Sequence, residues 1–398
     1  MRPADLLAYV LLGGAAMPKS LKPQVVILIT VLLSWSTAAS AGSVTLAWNA
    51  VSDSTVSGYE LCWGEAPGNW PTCRTVGNVI SYTVPDLLDG RPYYFVVKAY
   101  NYAGIRSGPS IEVSRRVGVM RAAAGDFSGD FLSDFGVYRP SNGTWYYQAA
   151  GTSKQTGLQW GGSLDTPAAG DYDGDGKIDA AVFRPSEGAW YMRYSSNGLG
   201  VGLRWGAGDD RAVPGDYDGD GKSDAAVFRP SNGTWYLYSS RTGGGRGVQW
   251  GGASDKLAPA DYDGDGITDV AVFRPSNGTW YVIKSVNGAS VGTQWGAFGD
   301  IPVPADYDGD GKSDIAVFRP SSGTWYIKLS STGAGFGFQW GITTDLPVPG
   351  DYDADGRADI AVFRSAIGVW YIRYTGTGGT TGLQFGGAGD IPVFVLKQ

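Results

Sequence analysis

The stretch "DYDGDGKSDAAVFRPSNGTWYLYSS", Asp216 to Ser240, decides the fold. Four carboxylates crowd into its first nine residues. An apolar run, Ala225 to Phe228, follows and ends on Arg229. Ser231-Asn232-Gly233 then reads as a hairpin turn into a second strand carrying Trp235 and Tyr236. The same order returns along the chain without insertion. The first Asp of each acidic loop falls at Asp126, Asp171, Asp216, Asp261, Asp306 and Asp351, always 45 residues apart. One unit contains "LAPADYD", "DVAVFRP", "GTWYVIKS" and "VGTQWG", four short strands separated by turns. A period of this length with strand composition is the signature of a β-propeller in which each repeat supplies one four-stranded blade.

The aromatic residues explain why such units assemble. A Trp-Tyr pair recurs at Trp145-Tyr146, Trp190-Tyr191, Trp235-Tyr236, Trp280-Tyr281, Trp325-Tyr326 and Trp370-Tyr371. Neighbouring strand residues point to opposite faces, so both faces of every blade carry a large ring that only an adjacent blade can cover. Each unit also ends its second strand on an Arg, from Arg139 to Arg364, and has an Asp nineteen residues before it, except the first. For Arg139 that offset lands on Met120, and Asp390, six periods on, is the candidate partner, so the expectation is a six-bladed ring whose last ten residues close onto the first blade, with a seven-bladed ring as the rival.

Like charges as close as those of the acidic loops repel, and a bound cation is the readiest way to neutralise them. Oxygen ligands without His or Cys select a hard ion, and Ca²⁺ suits many flexible carboxylates better than Mg²⁺. Loop positions one, three, five and nine, with the backbone carbonyl at seven, supply five candidate sites. They are Asp171, Asp173, Asp175, Lys177 and Asp179; Asp216, Asp218, Asp220, Lys222 and Asp224; Asp261, Asp263, Asp265, Ile267 and Asp269; Asp306, Asp308, Asp310, Lys312 and Asp314; Asp351, Asp353, Asp355, Arg357 and Asp359. An EF-hand is excluded: its twelfth position needs Glu and holds Val182, Val227, Val272, Val317 or Val362, with a strand following where a helix should. In "DFSGDFLSD" Ser128 and Phe131 break the pattern, which leaves Asp126, Asp130 and Asp134 for a weaker site or none. The D-x-D-x-D-G-x-x-D loop within a 45-residue unit resembles the FG-GAP or VCBS repeat family, which includes the integrin α-chain head and fungal propeller lectins. That resemblance implies Ca²⁺ between the first and second strands of a blade.

The segment before the repeats is different. "VTLAWNAV" and "GYELCWG" read as strands carrying Trp48 and Trp63, and in "YYFVVKAYN" Tyr93, Phe95, Val97 and Ala99 alternate onto one face. With Leu87, Gly90 and Tyr93 in a Leu…Gly…Tyr corner, residues 42–117 resemble a fibronectin type III β-sandwich, and residues 118–398 are assigned to the propeller. The chain is thus expected to be all-β. Residues 1–41 read as an export signal: Lys19 and Lys22 precede the apolar run Val25 to Trp35, and Ala39-Ser40-Ala41 is an A-x-A cleavage site, with Met17 as an alternative start. The run is too short to span a bilayer. Cys62 and Cys73, the only two cysteines, fit one disulfide in an exported protein.

The net charge of −7 and the scattered Lys and Arg offer no surface for nucleic-acid phosphates. Loss of residues 1–41 would take the charge to −9, which five divalent ions would bring near neutrality. The absence of histidine removes the commonest general base and the Ser-His-Asp and His-zinc sites, so no catalytic centre is expected. The expected function is binding or adhesion at a cell surface or outside the cell. The ligand is a carbohydrate or, alternatively, an extracellular protein met by a structural module.

Overall fold

The structure, a computed structural model, describes residues 27–28, 42–51, 55–64, 68–87, 91–117, 125–130 and 132–393. Apart from Ile27 and Leu28, the expected signal lies outside the described residues, as do Gly90 and Phe131. The described residues form strands and turns only, and the chain divides into two compact units, Met1–Val119 and Met120–Gln398.

In the first unit, strands Gly42–Trp48 and Ser81–Leu87 pair in one sheet, with Ile27–Leu28 set against Ala47 and Trp48. Strands Thr72–Gly77, Val56–Gly64, Arg91–Asn101 and Val113–Val117 form the other, in that order. Alternation places Leu46, Trp48, Tyr59, Leu61, Tyr93, Phe95, Val97 and Ala99 in one buried core, and Trp48 meets the edge of Tyr59 with centroids 5.5 Å apart. Trp63 packs against that core half-buried. Cys62 and Cys73 face each other across paired strands and are joined in a disulfide. Closing a loop this short removes about 3 kcal/mol worth of unfolded-state freedom.

In the second unit every repeat forms one four-stranded antiparallel sheet. The second repeat shows the pattern with Thr166–Pro167, Ala180–Arg184, Ala189–Arg193 and Gly200–Arg204. Six such sheets are present among the described residues. The first takes its innermost strand from the other end of the chain, Ile391–Pro392 beside Val137 and Tyr138. Arg139 then reaches Asp390 through two hydrogen bonds of 2.7 Å, so the expected closure is observed. Buried clusters join neighbouring sheets all the way round. That between the last and first holds Trp370, Phe363, Val137 and Phe135.

The two rings of each Trp-Tyr pair are not buried alike. The six Trp are at most 1% exposed and each donates its indole N–H within its own blade, as Trp190 does to the Trp205 carbonyl at 2.9 Å. Burying a ring of that size contributes about 5 kcal/mol before conformational entropy is charged against it. The six Tyr stay half-buried because an Arg guanidinium lies over each ring at 4.4 to 4.7 Å. A second Trp ties blade to blade: Trp160, Trp205, Trp250, Trp295 and Trp340 donate to the Tyr carbonyl of the next sheet at 3.0 to 3.1 Å. At the closing interface the equivalent residue is Phe385, which has no N–H to give. The hairpin glycine is present in all six units for two reasons. Gly188 has φ 59°, and a Cβ there would collide with the Gly206 carbonyl oxygen.

Candidate functional site

Each of the last five acidic loops joins the innermost strand to the second strand and is folded by its own carboxylates. The first Asp caps the turn: Asp171 accepts N–H bonds from Gly174 at 2.6 Å and Gly176 at 2.9 Å, and Asp216, Asp261 and Asp306 repeat the arrangement. The fifth Asp accepts the N–H of residue seven, as Asp175 does from Lys177 at 2.9 Å. The ninth is held from both sides. Asp179 accepts the Tyr172 N–H at 2.8 Å and the Ser195 N–H at 2.6 Å, and Asp224, Asp269, Asp314 and Asp359 do likewise. At position four the turn needs a left-handed residue, supplied by glycine in every loop except the last, where Ala354 adopts φ 60°.

These turns bring carboxylate oxygens within 4.8 Å of one another at Asp171, Asp173 and Asp179; at Asp216, Asp218 and Asp224; and at Asp306, Asp308 and Asp314. In the Asp261 loop the close group is Asp261, Asp263 and Asp265. The five sequence-predicted ligand positions therefore do not gather alike. In all four loops the fifth-position Asp accepts a serine hydroxyl, Ser195 to Asp175 at 2.9 Å, Ser240 to Asp220 at 2.9 Å, Ser285 to Asp265 at 2.8 Å and Ser330 to Asp310 at 2.8 Å, yet only Asp265 also joins the close group. Ser196, Ser239 and Ser331 likewise hold the third-position Asp173, Asp218 and Asp308. These serines add contacts that counting carboxylates does not find, and Ser195, Ser240, Ser285 and Ser330 recur every 45 residues as their signal in the sequence. The loops are also joined to each other. Residue eight donates its N–H to the carbonyl of the first Asp in the preceding loop, as Ser223 does to Asp171 at 2.6 Å, and the series closes with Ser133 donating to Asp351 at 2.7 Å.

Burial pushes the Asp179 and Asp359 carboxyls up to about 7, and Asp171, Asp224, Asp269, Asp314 and Asp351 up to about 6; neighbouring carboxylates push the same way and backbone N–H groups pull back. A cation beside them would favour the ionised form and lower these values again. Oδ2 of Asp263 and Oδ1 of Asp351 are buried and meet no hydrogen-bond donor. An orphaned carboxylate oxygen inside an all-oxygen cluster fits a hard metal ion. The first loop is folded by the same kind of backbone bonds and differs in having Ser128 where the others have their third-position Asp. Asp126 accepts N–H bonds from Gly129 and Asp130, Asp130 from Leu132, and Asp134 from Phe127, Ser128 and Ala150, so its three acids are engaged by their own backbone.

At the other end of the second strands, each Arg forms a paired hydrogen bond with a buried Asp, from Arg184 with Asp165 to Arg364 with Asp345, and Arg139 with Asp390.

Residues 216–272, 261–317 and 306–362 match the FG-GAP-like repeat family, and residues 32–116 match the fibronectin type III domain. The second match begins ten residues ahead of the expected cleavage point. A Kelch domain-containing protein of Saccharolobus solfataricus is 51% identical over 77 residues, 19% of this chain, and this chain spans 10% of that relative's length. A solved structure of an Agrocybe aegerita lectin that recognises non-reducing terminal N-acetylglucosamine is 15% identical with a TM-score of 0.43, over 85% of this chain and 92% of that one. A protein of unknown function from Bacteroides thetaiotaomicron is 12% identical with a TM-score of 0.41, over 94% and 96%. With its repeated acidic loops and its sandwich core, the chain carries FG-GAP-like repeats across residues 216–362 and a fibronectin type III domain ahead of them.

Proposed function

We propose that the chain is an exported binding protein whose calcium-loaded ring recognises carbohydrate at several similar surfaces. The observation that carries this reading is the chain of near-identical acidic loops, bonded loop to loop around one face of the ring. In each complete loop the first and third Asp, with the ninth or fifth, would hold the ion. Bound calcium would neutralise the clustered carboxylates and brace the loop, a structural role.

Carbohydrate is favoured over a flat protein partner by the outer strands. They end in an exposed Gln or Arg followed by a half-exposed Trp at Gln159-Trp160, Arg204-Trp205, Gln249-Trp250, Gln294-Trp295 and Gln339-Trp340. A ring face to stack on beside a hydrogen-bonding side chain is the pairing sugars require, and its repetition supplies avidity from weak sites. Export is supported by the apolar run behind Lys19 and Lys22 and by the Cys62–Cys73 disulfide. No step of this reading involves catalysis.

A glycan array run with calcium and with a chelator tests it. The expected outcome is a coherent set of glycan hits that chelation abolishes. Silence across the array with calcium present would overturn the carbohydrate assignment in favour of a protein-binding module.

A further inference from the structure

One blade interface does not repeat the others. Between the first and second sheets, on the side of the acidic loops, lies a cavity of about 300 Å³ with Phe127, Tyr147 and Ile178 among its walls and Lys177, Arg193 and Ser195 at its rim. That size is at the small end of ligand sites, with room for a single ring.

Its walls depart from the repeat. Where the other units carry Met192, Leu237, Val282, Ile327 or Ile372 on the third strand, the first carries Tyr147, half-buried and stacked on Phe127 with centroids 4.9 Å apart and planes at 15°. Phe127 itself replaces a tyrosine whose hydroxyl, in the other five units, donates to the backbone carbonyl of the residue just after its own innermost strand. Ile178 stands where the other loops have Ser, Thr or Ala. The result is an apolar, partly aromatic wall.

Two cations border that wall. The Lys177 stem lies over Gly129 of the neighbouring loop, and the Arg193 guanidinium sits 5.6 Å from the centre of the Trp160 ring. Among the described residues neither side chain forms an ion pair or a side-chain hydrogen bond. The nearby carboxylates take their hydrogen bonds from neutral donors, Asp175 and Asp173 from the Ser195 and Ser196 hydroxyls and Asp134 from backbone N–H groups, and bound calcium would offset the charge of the Asp173 loop. Two unpaired cations over an aromatic wall match a ring that bears one carboxylate.

We propose that this cavity binds one acidic sugar residue, its pyranose ring against Tyr147 and its carboxylate between Lys177 and Arg193. The assignment rests on the carbohydrate reading above and adds that one interface selects for charge. Calorimetry on the full chain in calcium-containing buffer tests it with methyl glucuronide, methyl glucoside and benzoate. The glucuronide should bind at one site per chain, at least tenfold more tightly than either of the others. The double variant Lys177→Ile/Arg193→Ile introduces the side chains that the fourth repeat already carries at Ile267 and Ile283, so its melting temperature should hold while its glucuronide affinity falls at least tenfold. Tyr147→Met, with the neighbouring repeat's side chain, should weaken binding without altering charge. Equal glucuronide affinity in the wild type and the double variant would overturn the proposal, as would benzoate or glucoside binding as tightly as the glucuronide. Neutral-glycan binding without glucuronide binding overturns this inference alone, whereas no sugar binding of any kind removes the carbohydrate reading with it.

Discussion

The two faces of the ring are both crowded with aspartate, and they handle it in opposite ways. On one face each buried Asp meets its own Arg: Asp210 takes Arg229 on both oxygens at 2.8 and 2.9 Å and the Ala207 N–H besides, so the pair is neutral and fully hydrogen-bonded. On the other face Asp171, Asp173 and Asp179 converge with only backbone N–H groups and serine hydroxyls as partners. Dipoles shape that cluster but leave its net charge untouched. The first face is complete as folded. The second is left with a net negative charge that a cation could neutralise, and this is why one residue type at one spacing reads as architecture at one end of the strand and as a candidate site at the other.

Chelation should separate the faces most strongly. If free calcium sits a hundredfold above its dissociation constant, each loop gains about 2.7 kcal/mol, so five filled loops amount to about 13 kcal/mol. For a ring of this size that corresponds to a melting temperature about 20 °C lower in chelator. Scanning calorimetry that finds the same transition with and without chelator would erase the proposed difference between the faces.

The paired face should fail in another way. Arg229→Met strands the buried Asp210 carboxylate and should cost about 3 to 5 kcal/mol, with much of the loss recovered in Arg229→Met/Asp210→Leu. The cost should be similar in calcium and in chelator, since no ion is involved. A penalty that vanishes on chelation would mean that the two faces are coupled.

Asp218→Ala should have the smallest effect and the sharpest signature. Losing one loop's ion should cost about 2 to 3 kcal/mol in calcium and much less in chelator, where the substitution also relieves repulsion. Calcium titration should then count one site fewer. An unchanged count would remove Asp218 from the ligand set.

Much of the ring was legible because repetition makes spacing informative. The offset of nineteen residues between Asp and Arg, with its single vacancy at Arg139, located Asp390 as the closing partner, and the bidentate pair is there. The alternation of Tyr93, Phe95, Val97 and Ala99 marked a core face, and all four are buried in it. The inner arrangement of the acidic loops was less legible. Counting Asp placed positions one, three, five and nine on a single ion, whereas three loops gather the first, third and ninth and the Asp261 loop gathers the first, third and fifth. The loop-to-loop hydrogen bonds use backbone N–H groups, which every residue but proline possesses, so no side-chain pattern announces them.

By itself the sequence determined the period, the four short strands per unit, the aromatic pair on the third strand and the acid-rich turn, because each is a local pattern copied six times. Tertiary structure decided what the copies do to one another. Ring closure gave Arg139 a partner 251 residues away, and the packing of adjacent blades left the Trp buried, while each Tyr lies beneath an Arg of its own blade. At one interface, the substitutions Phe127, Tyr147 and Ile178 became a cavity only when the second blade brought Lys177 and Arg193 to its edge. The physical reason is that a cavity, an unpaired charge or a buried carboxylate belongs to the space between two segments, and that space exists only once both have folded against each other.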